Sequence, residues 1–119
     1  MESFMADWAI TVPKTTKWED YQKELDVVSD YSHTINYHVS HFPRDMQIGD
    51  RCFIVWNGKV RGWMEIVDLQ EIDAWTCNTT GRQWPAGRYI VRSGPFHSTD
   101  GPEMQGFRGV IRFNSVGIH

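Results

Sequence analysis

Apolar and polar positions alternate most clearly between Phe42 and Leu69. Arg51 to Trp56 is rich in residues that suit a pleated, half-buried surface. Asn57-Gly58 follows, the strongest short hairpin signal, because a type I′ turn needs positive φ at both central residues. Lys59 to Leu69 returns as the partner strand, with Val60, Gly62, Met64, Ile66 and Asp68 alternating against Arg61, Trp63, Glu65, Val67 and Leu69. Gly49-Asp50 reads as the turn into this hairpin, with Ile48 and Phe53 expected to be buried around it. A long hairpin entered in this way points to a small β-barrel rather than a parallel sheet. Gly62 inside a strand marks a bulge or a close approach.

The flanking segments carry weaker patterns. Asp7 to Val12 reads as a first strand that ends at Pro13. A helix follows, capped by Thr15 or Thr16, with Glu19 completing a capping box behind Thr16. Trp18, Tyr21, Leu25 and Val28 form its apolar stripe. Thr34 to Val39 is a short strand or a turn, and Gln70 to Trp75 continues or ends a strand. Thr76 to Ala86 is a polar loop carrying Trp84, and Arg88 to Arg92 is a strand. Ser93 to Gln105 is a long loop punctuated by Gly and Pro, and Phe107 to Phe113 is the last strand. One early helix and five or six strands give an α+β fold with a barrel core. With 119 residues and no repeat or linker, residues 1–119 form a single domain.

Composition is that of an ordinary globular chain, with 40% hydrophobic and 23% charged residues. Some of the aromatic rings belong to the core, but six Trp exceed what one small core usually needs. The net charge of −3 is uneven: residues 1–50 carry four Lys/Arg against nine Asp/Glu, and residues 51–119 carry eight against six. Seven of those eight are Arg, so a local basic face is compatible with the chain, whereas strong nonspecific DNA binding is not implied. Cys52 and Cys77 lack metal or redox spacing and read as reduced thiols of a cytoplasmic protein. No signal peptide and no membrane-length apolar run is read from the sequence. His33, His38 and His41 fit no zinc signature, so neither a metal nor another cofactor is expected.

Residues 36–50 read NYHVSHFPRDMQIGD. This block resembles the EVE domain of the PUA-like superfamily, which carries Asn-Tyr-Gln-Ala-Arg-Asn-Phe-Leu-Arg-x-Met-x-x-Gly-Asp at the same place. Asn36, Tyr37, Phe42, Arg44, Met46, Gly49 and Asp50 match without a gap. His38 and Ser40 replace the family's Gln and Arg, and Val55-Trp56-Asn57 replaces its Tyr-His-Ser. The resemblance spans roughly residues 7–70, including the Trp8 strand and the Gly62 strand.

EVE domains and the related YTH domains read modified bases. The resemblance therefore implies a PUA-like bent barrel that binds DNA or RNA carrying a modified base, a modified cytosine first of all, with a partner nuclease or other protein as a further associate. A base must leave its helix to be inspected on every edge. Stacking on aromatic rings gives about 1–3 kcal/mol per base, and amides supply paired donors and acceptors. Trp8, Asn36, Tyr37, Trp56, Asn57 and Trp63 offer these groups, and Arg44, Arg61 and Arg92 are candidates for flanking phosphates.

Plainer roles compete. Trp56 and Trp63 suit a cross-strand aromatic pair, Trp18 suits the core, Asn36 a local backbone cap, and Arg44 a clasp on the Gly-Asp turn. Two further function classes stand beside base reading. One is hydrolysis as in the sister ASCH family, whose Gly-x-Lys-x-x-Glu-x-Arg signature finds no match at Tyr31, His33, Asn36 and His38. The other is a protein-binding inhibitor module, which the acidic first part would suit. No catalytic residue is assigned.

Overall fold

The structure is a computed structural model that describes residues 6–73, 75–76, 83–84 and 86–114. The chain runs β1 (Asp7–Val12), α1 (Trp18–Val27), β2 (Ile35–Val39), β3 (Arg51–Trp56), β4 (Lys59–Ile72), β5 (Trp75–Thr76), β6 (Gln83–Trp84), β7 (Gly87–Ser98) and β8 (Val110–Arg112). Six strands make one mixed sheet in the order β2-β7-β4-β3-β1-β8, while β5 and β6 pair separately. The sheet curls into a half-barrel carrying one helix among the described residues. β1 runs parallel to β3, in register from Asp7–Arg51 to Val12–Trp56. Parallel neighbours need a long crossover, and α1 with β2 supplies it. Among the described residues no helix is long and apolar enough to cross a membrane.

The hairpin forms at Asn57-Gly58, where φ is 50° and 77°. Its register is interrupted once. Val55 faces Val60 and Ile54 faces Gly62, so Arg61 is an extra residue on β4. Because side-chain direction alternates with every residue, one insertion reverses everything beyond it. Val60 therefore joins a core on one face with Ala9, Phe53 and Val55, while Met64 and Ile66 join the larger core with Trp8, Ile10, Cys52, Ile54 and Leu25. The alternating residues Val60, Gly62, Met64 and Ile66 are all buried, in two cores rather than one.

The same bulge separates the two indoles. Trp56 packs on the larger core, whereas Trp63 pairs with Phe53 and joins the smaller one, so they do not form a cross-strand pair. Gly62 is required for space: a Cβ there would meet the Phe96 ring and the His97 carbonyl oxygen. The smaller core is covered by Met104, Phe107, Ile111 and Phe113, carried by the segment after β7 and by β8. That segment is tied to the hairpin by the Met104 N–H donating to Gly58 O (2.8 Å) and the Val60 N–H to Pro102 O (3.0 Å).

α1 presents Leu25 to the larger core, with Val28 buried just past its end and Trp18 and Tyr21 partly buried. The expected capping box is absent: Lys17 is the N-cap, with no side-chain hydrogen bond. The Thr16 carbonyl instead accepts the Trp56 indole N–H (2.8 Å), so the helix entrance is held by tertiary contact.

Four further expectations are corrected. β7 extends to Ser98, so the first half of the presumed 93–105 loop is strand. Ser93 pairs with Glu65 and His97 with Trp63, leaving Gly94, Pro95 and Phe96 opposite Met64 alone. Pro95 is tolerated because it lies where the ladder is already broken. The last strand is shorter than Phe107–Phe113, covering Val110–Arg112. Ile48 is 62% exposed rather than buried, whereas Phe53 is 1% exposed as expected. Within the presumed 76–86 loop, Gln83–Trp84 pairs with Trp75–Thr76; Cys77 lies outside the described residues.

Candidate functional site

The Gly49-Asp50 turn is a structural anchor. Gly49 adopts φ of 99°, and the buried Asp50 carboxylate then accepts three hydrogen bonds. They come from the Ala6 N–H (3.1 Å), the Trp8 indole N–H (2.9 Å) and the Gln47 N–H (2.9 Å). Trp8 is thereby committed: it is 5% exposed, and the Arg112 guanidinium lies over its ring at 5.1 Å. Arg44 is exposed and is not among the groups bonded to Asp50.

Strand alternation divides the remaining candidates. Tyr37 and Asn36 are neighbours in β2, so they point to opposite faces. Tyr37 packs on the larger core, while Asn36 shares a register position with Val91 on the other side, where its buried Oδ1 has no hydrogen-bond donor. Asn57 is exposed at the hairpin tip. Trp63 stacks on His97 (centroids 3.9 Å, planes 14° apart) on the smaller-core side, with the Arg51 guanidinium 5.3 Å from its centroid. Of the six base-binding candidates, Tyr37 and Trp56 are the two whose rings border the larger core without being sealed in it.

Trp56 belongs to a cluster of half-buried rings. Trp18 lies 5.9 Å from Trp56, 5.7 Å from Tyr21 and 5.9 Å from Phe96, centroid to centroid. Arg61 sits 5.2 Å over the Trp56 ring and donates from Nε to the Trp56 carbonyl (3.1 Å). Sequence patterning assigned Trp18 and Tyr21 to the helix stripe and hid Phe96 in a loop. No local signal marks the cluster, because Trp56 and Phe96 reach it from strands distant in sequence.

Beside these rings lies Arg92, which is 1% exposed and so is out of reach of a flanking phosphate. Its Nη1 donates to the Tyr21 hydroxyl (3.1 Å), and its Nε–H is buried without an acceptor. Cys52, fully buried, is within hydrogen-bonding reach of it. No carboxylate among the described residues forms an ion pair with Arg92. Burial works against the Arg92 charge, and Tyr21, Cys52 and Tyr37 outweigh it, leaving its pKa above the ordinary value. Burial likewise pushes the Cys52 thiol up, with Arg92 pulling the other way. Desolvating a charge of this size costs on the order of several kcal/mol, and good geometry with hydrogen-bonded partners is what offsets it. Here one guanidinium edge lacks such a partner.

Tyr37 is a third neighbour of this group. Burial raises its pKa, while Arg92 lowers it. Its hydroxyl donates to the Gly109 carbonyl (3.4 Å), directly before β8. β2 and β8 are the two edges of the sheet, so this bond spans the open side of the half-barrel. The exposed cations near that side are Arg108 and Arg112.

His33, His38 and His41 have separate neighbours. His33 and His41 contact their neighbouring serines, and His38 lies 5.1 Å from the Tyr89 ring. Among the described residues, no group of three His, Cys, Asp or Glu is placed to hold a metal ion. No family model matches the chain, and neither a curated protein nor a solved structure matches it.

Proposed function

We propose that this domain is a PUA-like nucleic-acid-binding module that takes one unpaired base, in the first instance a modified cytosine, against the rings of Trp18, Tyr21, Trp56 and Phe96. The observation that carries the reading is this contiguous cluster of half-buried rings, drawn from α1, β3 and β7. Rings in that state keep area to offer a planar ligand, and stacking contributes about 1–3 kcal/mol per base. The resemblance of residues 36–50 to EVE domains supports the same class of ligand. Arg61 lies over the Trp56 ring and bonds to its carbonyl, and Lys17, Arg44, Arg108 and Arg112 are among the exposed cations available to a backbone. A base methyl group would add about 1 kcal/mol of apolar contact, so discrimination by a methyl alone is about tenfold or less.

The test is fluorescence anisotropy with short single-stranded DNA and RNA, with and without modified cytosine, at several salt concentrations. The parent binds, the modification changes affinity, and added salt weakens binding. Trp18→Ala and Trp56→Ala lose binding, whereas Lys14→Ala does not. Trp56→Phe, which keeps a ring but not the bond to Thr16, retains part of it. Binding by Trp56→Ala equal to that of the parent, with its fold verified by circular dichroism, refutes the assignment. Absence of binding to every oligonucleotide favours a protein partner instead.

A further inference from the structure

Arg92 poses a problem that base stacking does not answer. A guanidinium carries five N–H donors and no acceptor, and it stays charged in proteins. Here it lies 1% exposed among two phenols and a thiol, with no ion-pair partner among the described residues and a buried Nε–H that donates to nothing. Arginine suits planar, forked recognition of carboxylate and phosphate oxygens better than any other residue. A donor buried this deeply is beyond a phosphodiester flanked by chain on both sides. A terminal oxyanion on a small ligand does not have that restriction. The Tyr21 ring, whose hydroxyl receives Nη1, is continuous with Trp18, Trp56 and Phe96, so the group leading outward from Arg92 is aromatic.

We propose that Arg92 is the receptor for the oxyanion of a small aromatic ligand, a carboxylate or phosphate monoester, which enters between β2 and β8 when the Tyr37 hydroxyl releases the Gly109 carbonyl. The oxyanion accepts from the Arg92 Nε–H and balances the buried charge, and the ligand's ring lies against the Trp18 cluster. Tyr37 is a positioning residue: its bond to Gly109 holds the edges of the half-barrel together and is re-formed or exchanged when the ligand seats. This inference stands on Arg92 and does not require a polynucleotide.

The probes are benzoate, cytidine 5′-monophosphate and inorganic phosphate, with sodium chloride at equal ionic strength as control, all on the full chain. Two readouts are used: thermal unfolding, and the side-chain Nε–H resonance of Arg92, identified by its loss in Arg92→Lys, which keeps the buried charge. Benzoate or the monophosphate is expected to raise the melting temperature by several degrees and to shift that resonance, with chloride doing neither. Which of the two acts distinguishes carboxylate from phosphate, and inorganic phosphate tests whether the ring is needed. Arg92→Met and Arg92→Lys weaken binding by about ten- to a hundredfold, the factor expected of a charge-assisted hydrogen bond. Tyr37→Phe speeds association. An unmoved Nε–H resonance with all three probes overturns the proposal, even if Arg92→Met fails to fold. An equal thermal response in parent and Arg92→Lys overturns it as well. Oligonucleotide binding is read separately, so either reading can fail without the other.

Discussion

Replacing Asp50 with alanine removes the acceptor for three donors at once. The Trp8 indole N–H is buried, and the Ala6 and Gln47 N–H groups are part-buried. A buried donor left without an acceptor costs about 1–3 kcal/mol. The two part-buried groups regain some water, so the sum is about 3–5 kcal/mol. Asp50→Asn separates charge from geometry. Oδ1 serves Ala6 while Oδ2 serves both Trp8 and Gln47, and an amide has a single oxygen. Turned to keep Trp8 and Gln47, it points its NH2 at the Ala6 N–H, so Asp50→Asn costs about 1–3 kcal/mol, between parent and alanine. Urea unfolding followed by fluorescence reads these values. With a slope of about 1.5 kcal/mol per molar, the alanine variant loses about 2–3 M in midpoint. Trp8→Phe, combined with Asp50→Ala in a double-mutant cycle, should show coupling of about 0.5–3 kcal/mol. Additive effects, or an alanine variant within about 1 kcal/mol of the parent, would refute the claim that this carboxylate anchors β1 to the turn.

Three other outcomes follow from packing and burial. Phe53→Ala, emptying the centre of the smaller core, should cost about 3–5 kcal/mol in chemical unfolding; a loss below about 1 kcal/mol contradicts its placement. Gly62→Ala should cost about 1–3 kcal/mol, and Phe96→Ala should relieve part of that loss but not all, because the His97 backbone oxygen remains. Cys52 sets an alkaline limit. Its pKa is raised on folding, so its stabilising contribution is complete below the unfolded value of about 8.5 and is lost as pH rises through the folded one. The parent's urea midpoint under reducing conditions should therefore decline above about pH 8.5, and Cys52→Ala should flatten that decline; parallel pH profiles would show that the thiol does not contribute.

Local signals in the sequence were sufficient for the elements that local chemistry decides. Asn57-Gly58 demanded a hairpin and made one, and Pro13 ended β1 where its missing N–H predicts. The stripe on α1 was legible for the same reason, since helical spacing depends on neighbours alone. What was illegible involved partners distant in sequence. The parallel pairing of β1 with β3 leaves no local mark. Gly94-Pro95 reads as a loop because those residues break regular strands, yet the break is absorbed where three residues of β7 face one of β4. The candidate site suffered most. Aromatic and amide residues close in sequence, such as Asn36 and Tyr37, suggest one pocket, although a strand sends successive side chains to opposite faces. Arg92 resembled any surface arginine until its burial was known.

The extra residue at Arg61 has a consequence for how this hairpin tolerates change. It works like a frameshift in side-chain direction: Val60, before Arg61, is addressed to the smaller core, whereas Met64 and Ile66, of the same parity beyond it, are addressed to the larger. Deleting Arg61 would turn Met64 and Ile66 toward the smaller core and Trp63 toward the larger, exchanging the contents of two compartments of different size. Substitution at Arg61 costs its two contacts with Trp56, whereas loss of the position costs the identity of both interiors. Length in this hairpin is thus held more tightly than composition, and insertions are better borne by the exposed turns outside it.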